Sequence, residues 1–291
     1  MELRVLQYYL AVTREQSISG AAASLHLSQP TLSRQLKDME EELGKQLFIR
    51  SNRRITLTEE GMILRKRAEE ILDLVGKTER EIAASDEVIA GDVYIGSGET
   101  DNVRLFGKAA QELQALYPNI HYHISSGNSA YVLEQLDKGL IDLGLIYEYE
   151  NIDPKKYESI EIPLKDTWGV LMRRDSQLAQ KETISPEDLW DKPLILSHEV
   201  KPGVNWLKRD ISKLNVVATY NLVYNASLLV DEGLGYALCF DKLIYTEGNC
   251  SLCFRPLSPR LESTATLVWK RYQMFSKAAE KFLLKMQEIA K

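Results

Sequence analysis

One stretch, Ser17 to Gly61, limits the possible fold more than any other: SISGAAASLHLSQPTLSRQLKDMEEELGKQLFIRSNRRITLTEEG. Ser19 is a good N-cap for the small-residue run Gly20-Ala21-Ala22-Ala23, which lets another helix pack closely. Leu25 and Leu27 flank a corner. Ser28 caps a second helix, and Pro30 falls in its first turn, where a missing N–H costs little. Leu32, Leu36, Met39 and Leu43 then recur at steps of 4, 3 and 4, the spacing of one buried helical face. The opposite face carries Gln29, Thr31, Ser33, Arg34 and Lys37, whose donors reach base edges and phosphates. Gly44 ends the helix. Between Leu43 and Thr58 the charged residues are Lys45, Arg50, Arg53 and Arg54, with no acid, and Asn52 suits a hairpin tip. The pattern is that of a winged helix-turn-helix, which predicts contact with a DNA duplex. The expected contacts are Ser28, Gln29, Pro30, Thr31, Ser33, Arg34 and Lys37 on the helix, and Arg50, Arg53 and Arg54 on the wing. An ordinary helical corner with solvated charges is the competing reading. It leaves unexplained why caps, apolar stripe, polar face and basic wing agree.

The whole chain carries a net charge of −6, which looks wrong for a DNA binder until its distribution is considered. Residues 1–67 hold 11 basic and 8 acidic side chains, a net of +3; the remaining 25 basic and 34 acidic residues give −9. A modestly basic head on an acidic body suits a specific regulator better than a non-specific coating protein. At 291 residues the chain is long enough for two domains with separate cores. The charged start, Met-Glu-Leu-Arg, is unlike a secretory signal, and no apolar run approaches the roughly 18–20 residues of a membrane span. A cytoplasmic location is expected.

After Thr58-Glu59-Glu60-Gly61 a helix is predicted to run to about Ile89, capped by Thr58 and favoured by its early acids. Leu64, Ala68, Ile71, Val75, Thr78, Ile82, Ser85 and Ile89 follow a 4-3 repeat, a heptad seam that needs a covering partner. Such a helix spans roughly 45 Å. Packing onto its own domain is one answer. Dimerisation through Leu64, Ala68, Ile71, Val75 and Ile82 is the favoured one, because a dimer presents two recognition helices to a two-fold site.

Beyond Gly91 the pattern changes to βαβαβ: strands at Val93–Ile95, Ile120–Ile124 and Ile141–Tyr147, helices at Val103–Tyr117 and Ser129–Lys138. A second set follows, with strands at Trp168–Met172, Leu194–Ser197, Val216–Val223, Tyr236–Phe240 and Thr264–Trp269. Helices are expected after the Ser185-Pro186-Glu187-Asp188 cap and at Val200–Lys213, Ala226–Glu232 and Ser276–Ile289. Gly96-Ser-Gly98 lacks the third glycine of a dinucleotide fingerprint, since Asp101 stands there. No nucleophile-elbow, kinase or P-loop pattern occurs. Cys250 and Cys253 have redox spacing, yet with Cys239 they read as free thiols in a reducing compartment; no partner pair for zinc is evident. His121 and His123 share a strand face, and two ligands alone do not make a metal site. No metal, no cofactor and no catalytic residue is expected.

Residues 1 to about 65 resemble the DNA-binding domain of the LysR-type transcriptional regulators. The resemblance rests on Ser17-Ile18-Ser19, Ala21-Ala22, Leu25, Leu27 through Leu36, Glu40, Leu43-Gly44, Leu47-Phe48, Arg50 and Leu57 through Gly61. Met39 replaces the usual leucine, a volume-conserving change, and Asp175-Ser176-Gln177-Leu178 replaces a common His-Pro-Leu run. The resemblance implies an α/β chain with an all-α winged helix-turn-helix at 1–58, a linker helix at 59–90 and a two-lobed effector domain at 91–291, akin to periplasmic binding proteins. Lobe I would take 91–164 and 265–291, lobe II 165–264. It also implies antiparallel pairing of linker helices, a homodimer or homotetramer, a pseudo-palindromic promoter site and contact with RNA polymerase.

Ligands of such folds sit at the carboxyl ends of strands. Here that predicts Ser97, Gly98, Glu99, Thr100, Ser126, Gly127, Asn128, Ser129 and Tyr147 from the first lobe. The lobes would be joined by crossings near Leu164–Asp166 and near Ser263–Ala265; Thr167 and Trp168 come from the first crossing, and Ser197, His198 and Asn225 from the second lobe. Helix N-termini favour an anionic group, while Glu99, Glu148 and Glu199 oppose a simple polyanion. A carboxylate or a compact zwitterion is the expected effector. A DNA-binding protein without a small-molecule ligand is the first alternative, and an α/β enzyme tethered to DNA the second.

Overall fold

A computed structural model describes residues 1–50, 54–83, 89–147, 152–198 and 205–291, which divide into two compact units, Met1–Ala84 and Ser85–Lys291. In the first unit α1 (Leu3–Glu15), α2 (Ile18–Ser24) and α3 (Gln29–Leu43) are followed by the short hairpin β1 (Phe48–Arg50) and β2 (Ile55–Leu57), then by α4 (Glu59–Ala83). Leu6, Tyr9, Val12, Ala21, Ala22, Leu32, Leu36, Met39, Leu47 and Phe48 close its core. The Tyr9 and Phe48 rings lie 5.2 Å apart.

Local chemistry sets the ends of these elements. Ser17, not Ser19, is the N-cap of α2: it has extended backbone and its hydroxyl accepts the Gly20 N–H at 3.2 Å, while Ser19 lies inside the first turn. Ser28 caps α3 by accepting from Thr31 N, Pro30 lies in the first turn, and Gly44 ends the helix at φ 64°. Leu32, Leu36 and Met39 are buried as their spacing predicts; Leu43 is not, because it stands in the last turn and faces outward. Thr58 caps α4, accepting the Gly61 N–H at 3.0 Å.

The linker seam needs a larger correction. Ala68 is wholly buried in the core of its own unit, and Leu64 and Leu72 pack against the same core, so Leu64 and Ala68 are unavailable to a partner helix. Ile71, Leu74 and Ile82 are exposed, Ile82 to 80%, and Val75 is half-buried. The described helix ends at Ala83. Ser85 lies outside the described residues, and Ile89 is not helical but packs against the core of the second unit.

The second unit is built on one nine-stranded sheet among the described residues. Its strands are β3 (Gly91–Ser97), β4 (Ile120–Ser126), β5 (Leu143–Ile146), β6 (Tyr157–Arg173), β7 (Leu194–Ser197), β8 (Val216–Tyr220), β9 (Tyr236–Phe240), β10 (Leu252–Pro256) and β11 (Glu262–Lys270). The order is β4-β3-β5-β11-β6-β9-β7-β8, with β10 also on β6. β3 pairs in parallel with β4 and β5, β7 in parallel with β8 and β9, and β11 lies antiparallel to β5 and β6. Around the first half, α5 (Val103–Leu116) and α8 (Lys277–Ile289) share one core with the sheet, and α6 (Ser129–Asp137) contributes Val132 and Leu136 to another. In the second half α7 (Val223–Asp231) packs Val223, Ala226 and Val230 against Leu171, Ile195 and Ala237.

β6, at 17 residues, begins eleven residues before the strand expected at Trp168, because Tyr157–Lys165 pairs with β11 despite Pro163 in its middle. The two crossing segments run side by side: Asp166 pairs with Ser263 and Lys165 with Thr264. The expected helix 200–213 overlaps undescribed residues; beyond them helical backbone ends at Trp206, Lys208 takes a left-handed φ of 51°, and only a 3-10 turn follows at Ile211–Lys213. Ser185 and Asp188 form a capping box, but around a single 3-10 turn. No helix among the described residues is long and apolar enough to cross a membrane.

Candidate functional site

The outward face of α3 is the first candidate surface. With Leu32, Leu36 and Met39 directed inward, Gln29, Pro30, Thr31, Arg34 and Lys37 are left exposed and Ser33 half-buried. Ser28 is exposed too, though its hydroxyl is engaged with Thr31 N at 3.3 Å and Thr31 Oγ1 at 2.7 Å. Arg34 faces Asp38 at 3.9 Å and Lys37 faces Glu41 at 3.2 Å, surface pairs one turn apart that are worth little. Phosphates can replace them at small cost.

The wing is fixed at its base. Glu40 Oε1 accepts the N–H groups of Leu47 and Phe48 at 2.7 and 3.2 Å, and Ile55 N donates to the Gln16 carbonyl at 3.0 Å. Arg54 is exposed. Arg53 and the side chain of Arg50 lie outside the described residues.

The second candidate lies where β6 and β11 cross between the halves of the sheet. Along β6, Asp166, Trp168, Val170 and Met172 alternate onto one buried face. A buried carboxylate needs partners. Asp166 Oδ2 accepts from Thr100 Oγ1 at 2.8 Å, from Asn102 Nδ2 at 2.7 Å and from the Tyr147 hydroxyl. Burial, then the Asp166 charge, pushes the Tyr147 phenol well above its ordinary range. Ser129 Oγ sits 3.2 Å from both backbone polar atoms of Tyr147, donating to the carbonyl oxygen and accepting the N–H. Phe240 lies 5.1 Å from the Tyr147 ring and 4.4 Å from Trp168, whose indole N–H donates to Ser263 at 2.9 Å. Arg260 donates to Thr167 Oγ1 at 3.2 Å.

The structure therefore gathers Thr100, Tyr147 and Trp168 of the expected effector residues, while Thr167 takes the other face of β6, beside Arg260. It adds Asp166, Asn102, Phe240 and Ser263, which sequence reasoning missed. The signal for Asp166 lay in β6, where an acid stands in phase with the buried Trp168, Val170 and Met172. Other expected residues serve the local backbone. Ser97 Oγ donates to the Gly98 carbonyl at 2.8 Å, Gly127 N donates to Ser97 O at 3.0 Å, and Asn128 caps α6 through Tyr131 N at 2.7 Å. Ser126 is exposed at the end of β4. In the other half Ser197 ends β7, His198 Nε2 lies 3.0 Å from Thr219 Oγ1, and Asn225 is exposed in the first turn of α7. Glu148 and Glu199 lie outside the described residues.

A hydrogen bond to the backbone also joins the halves. The Glu99 carboxylate accepts the N–H of Val223 at the N-terminus of α7. Burial raises the Glu99 pKa, with the Val223 hydrogen bond opposing. A carboxyl raised in the folded state contributes stability below its unfolded pKa and loses it as pH rises through the folded one. Glu99→Gln removes that loss and keeps an acceptor for Val223. The variant is expected to unfold at a higher temperature than the parent at pH 7 and at the same temperature near pH 4. Equal melting at both pH values would contradict the burial effect.

Two of the thiols and the His123 imidazole have structural surroundings. All three cysteines are free, and burial pushes the Cys239 thiol up to about 12 and Cys253 upward as well, away from reactive thiolate. His123 pairs with Asp92 at 3.0 Å and stacks on Tyr94 at 4.7 Å. Among the described residues no three ligand side chains group to hold a metal.

Residues 3–62 match the family model of bacterial regulatory helix-turn-helix proteins of the lysR family, and residues 87–290 match that of the LysR substrate binding domain. The chain belongs to the LysR family. It is a DNA-binding transcriptional regulator of the LysR type. It is 32% identical over 220 residues to the HTH-type transcriptional regulator BsdA of Bacillus subtilis, a match covering 74% of each chain. It is 30% identical over 200 residues to the DNA-binding transcriptional dual regulator OxyR of Escherichia coli, covering 67% of this chain and 63% of OxyR. Crystal structures of the LysR family regulator CbnR, alone and as the full-length protein complexed with target DNA, cover all of both chains at TM-score 0.79 and 19% identity, a likeness of fold.

Proposed function

We propose that this LysR-family chain grips a pseudo-palindromic promoter site with paired heads and adjusts that grip when a small molecule binds between the halves of its second unit. The exposed row Gln29, Thr31, Arg34 and Lys37, on a helix whose other face is buried, is the observation that carries the reading. α3 enters the major groove, and the wing arginines Arg50, Arg53 and Arg54 meet flanking phosphates. Ile71, Val75 and Ile82 supply the apolar part of a dimer seam, in a homodimer or homotetramer. The effector, a carboxylate or zwitterion, binds at the β6–β11 crossing, with RNA polymerase as the downstream partner. A ligand-dependent change in DNA bending, of order 1–6 kcal/mol in elastic energy, lies within reach of a coupling of about 1–3 kcal/mol. The protein works in the cytoplasm and catalyses no reaction, in keeping with the regulators it is similar to.

Arg34→Ala tests the groove contact. It should weaken binding to the chain's own promoter fragment by roughly tenfold or more, and binding to random duplex much less. The paired change Arg53→Ala with Arg54→Ala is the control, expected to weaken both duplexes alike and flatten the salt dependence. Equal losses on both duplexes for Arg34→Ala would reduce it to a phosphate contact. A thermal-shift screen of central metabolites, followed by promoter binding with and without each hit, tests the effector.

A further inference from the structure

Two side-chain acceptors stand open at the β6–β11 crossing. Asp166 takes three donors on Oδ2, and Oδ1 takes none of them. Asn102 is 2% exposed; its Nδ2 donates to Asp166, which fixes the amide, and its Oδ1 has no partner among the described residues. Turning the amide over would set oxygen against carboxylate. Two acceptor atoms therefore remain; Asp166 is joined to Tyr147 through the phenol hydroxyl, and the Tyr147, Phe240 and Trp168 rings follow in contact one with the next. Four donors that would welcome an anion already serve the chain's own acids. Thr100, Asn102 and Tyr147 serve Asp166, and the Val223 N–H of α7 holds Glu99.

We propose that the effector carries a protonated primary amine, received by Oδ1 of Asp166 and Oδ1 of Asn102 beside the Tyr147–Phe240–Trp168 rings. This rests on the reading of the second unit as ligand-binding and deepens it by naming the group recognised. An ammonium ion is a donor-only group, the complement of paired acceptors, and aromatic faces attract it further. Of the two effector classes left open by the sequence, a compact zwitterion and a carboxylate with an aromatic or hydroxyl portion, the open acceptors favour the zwitterion.

The probes are butylamine, benzylamine and tyramine, each with its matched alcohol and carboxylate, titrated into the full-length protein by calorimetry and thermal shift. The amines should bind and raise the melting temperature, and the matched alcohols and carboxylates should not. Benzyltrimethylammonium, with charge but no N–H, should bind more weakly than benzylamine. Asp166→Asn should weaken the amines at least tenfold. Should that variant fold poorly, Phe240→Leu, which removes only a ring, should still lower amine affinity several-fold. Carboxylates binding as well as amines would overturn the proposal while leaving a ligand-binding unit intact. Binding by none of the probes would also overturn it, and the metabolite screen would then judge the wider reading separately.

Discussion

Gly61→Ala is expected to unfold the amino-terminal unit and abolish duplex binding. A Cβ at this position would lie 2.3 Å from the Leu47 carbonyl oxygen and 3.2 Å from both its carbon and a Leu57 methyl. The obstacle is backbone, so no rotamer change relieves it. That carbonyl accepts Thr58 N at 3.1 Å, and the Gly61 carbonyl accepts the buried Tyr9 hydroxyl at 2.6 Å. Separating α4 from β1 to make room breaks both bonds and opens the Tyr9–Phe48 contact. Overpacking alone costs about 1–3 kcal/mol, and a lost buried hydrogen bond adds about 1 kcal/mol or more. A unit of this size has little stability beyond that. Circular dichroism melting and titration against specific and random duplexes would check it. Binding to both should be lost together, unlike the selective loss expected for Arg34→Ala. A variant that melted with the parent would show that the β1–α4 junction gives way cheaply.

The head was legible because its signals are local and redundant. The Ser28 cap, Pro30, the Leu32-Leu36-Met39 face and Gly44 each specify the same helix within one span of sequence, and the structure follows them. The failures arose where tertiary contacts decide between equal local options. Ser17 and Ser19 can both cap α2, and only the chain's path out of α1 selects Ser17. Leu64 and Ala68 carry the same periodicity as Ile71 and Ile82. Periodicity states that a face needs cover, and the core of the head supplies it for the first pair. β10 was not foreseen, because Leu252–Pro256 pairs with a strand about 80 residues earlier and has little apolar pattern of its own.

The candidate site at the crossing was half legible for a related reason. Carboxyl ends of parallel strands can be located from sequence, and these yielded Thr100 and Tyr147. What those groups face cannot be located in that way. Asp166, Asn102 and Phe240 come from three separate segments, brought together by the pairing of β6 with β9 and β11 and by the β3-β5-β11 run of the sheet. Ser126, Asn128 and Ser129 sit where the rule places them, yet Asn128 and Ser129 are engaged in holding α6 and Tyr147.

Asp166→Ala is expected to lower the stability of the second unit by about 3 kcal/mol or more. The substitution removes the common acceptor of Thr100, Asn102 and Tyr147 and leaves three donors facing a small apolar surface. Each buried donor without a partner costs about 1–3 kcal/mol, and removal of the carboxylate's own desolvation penalty offsets part of the sum. The Tyr147 phenol offers a direct readout. Burial and the Asp166 charge both raise its pKa, so the variant should titrate at lower pH than the parent while the fold persists. A raised phenol contributes stability at neutral pH that is lost only in alkali, so the difference between the proteins should narrow as the solution is made strongly basic. Asp166→Asn keeps an acceptor oxygen in place and should cost much less. An alanine variant as stable as the parent, with unchanged tyrosine titration, would mean that the crossing of β6 and β11 is held by its backbone ladder, with Asp166 a bystander to folding.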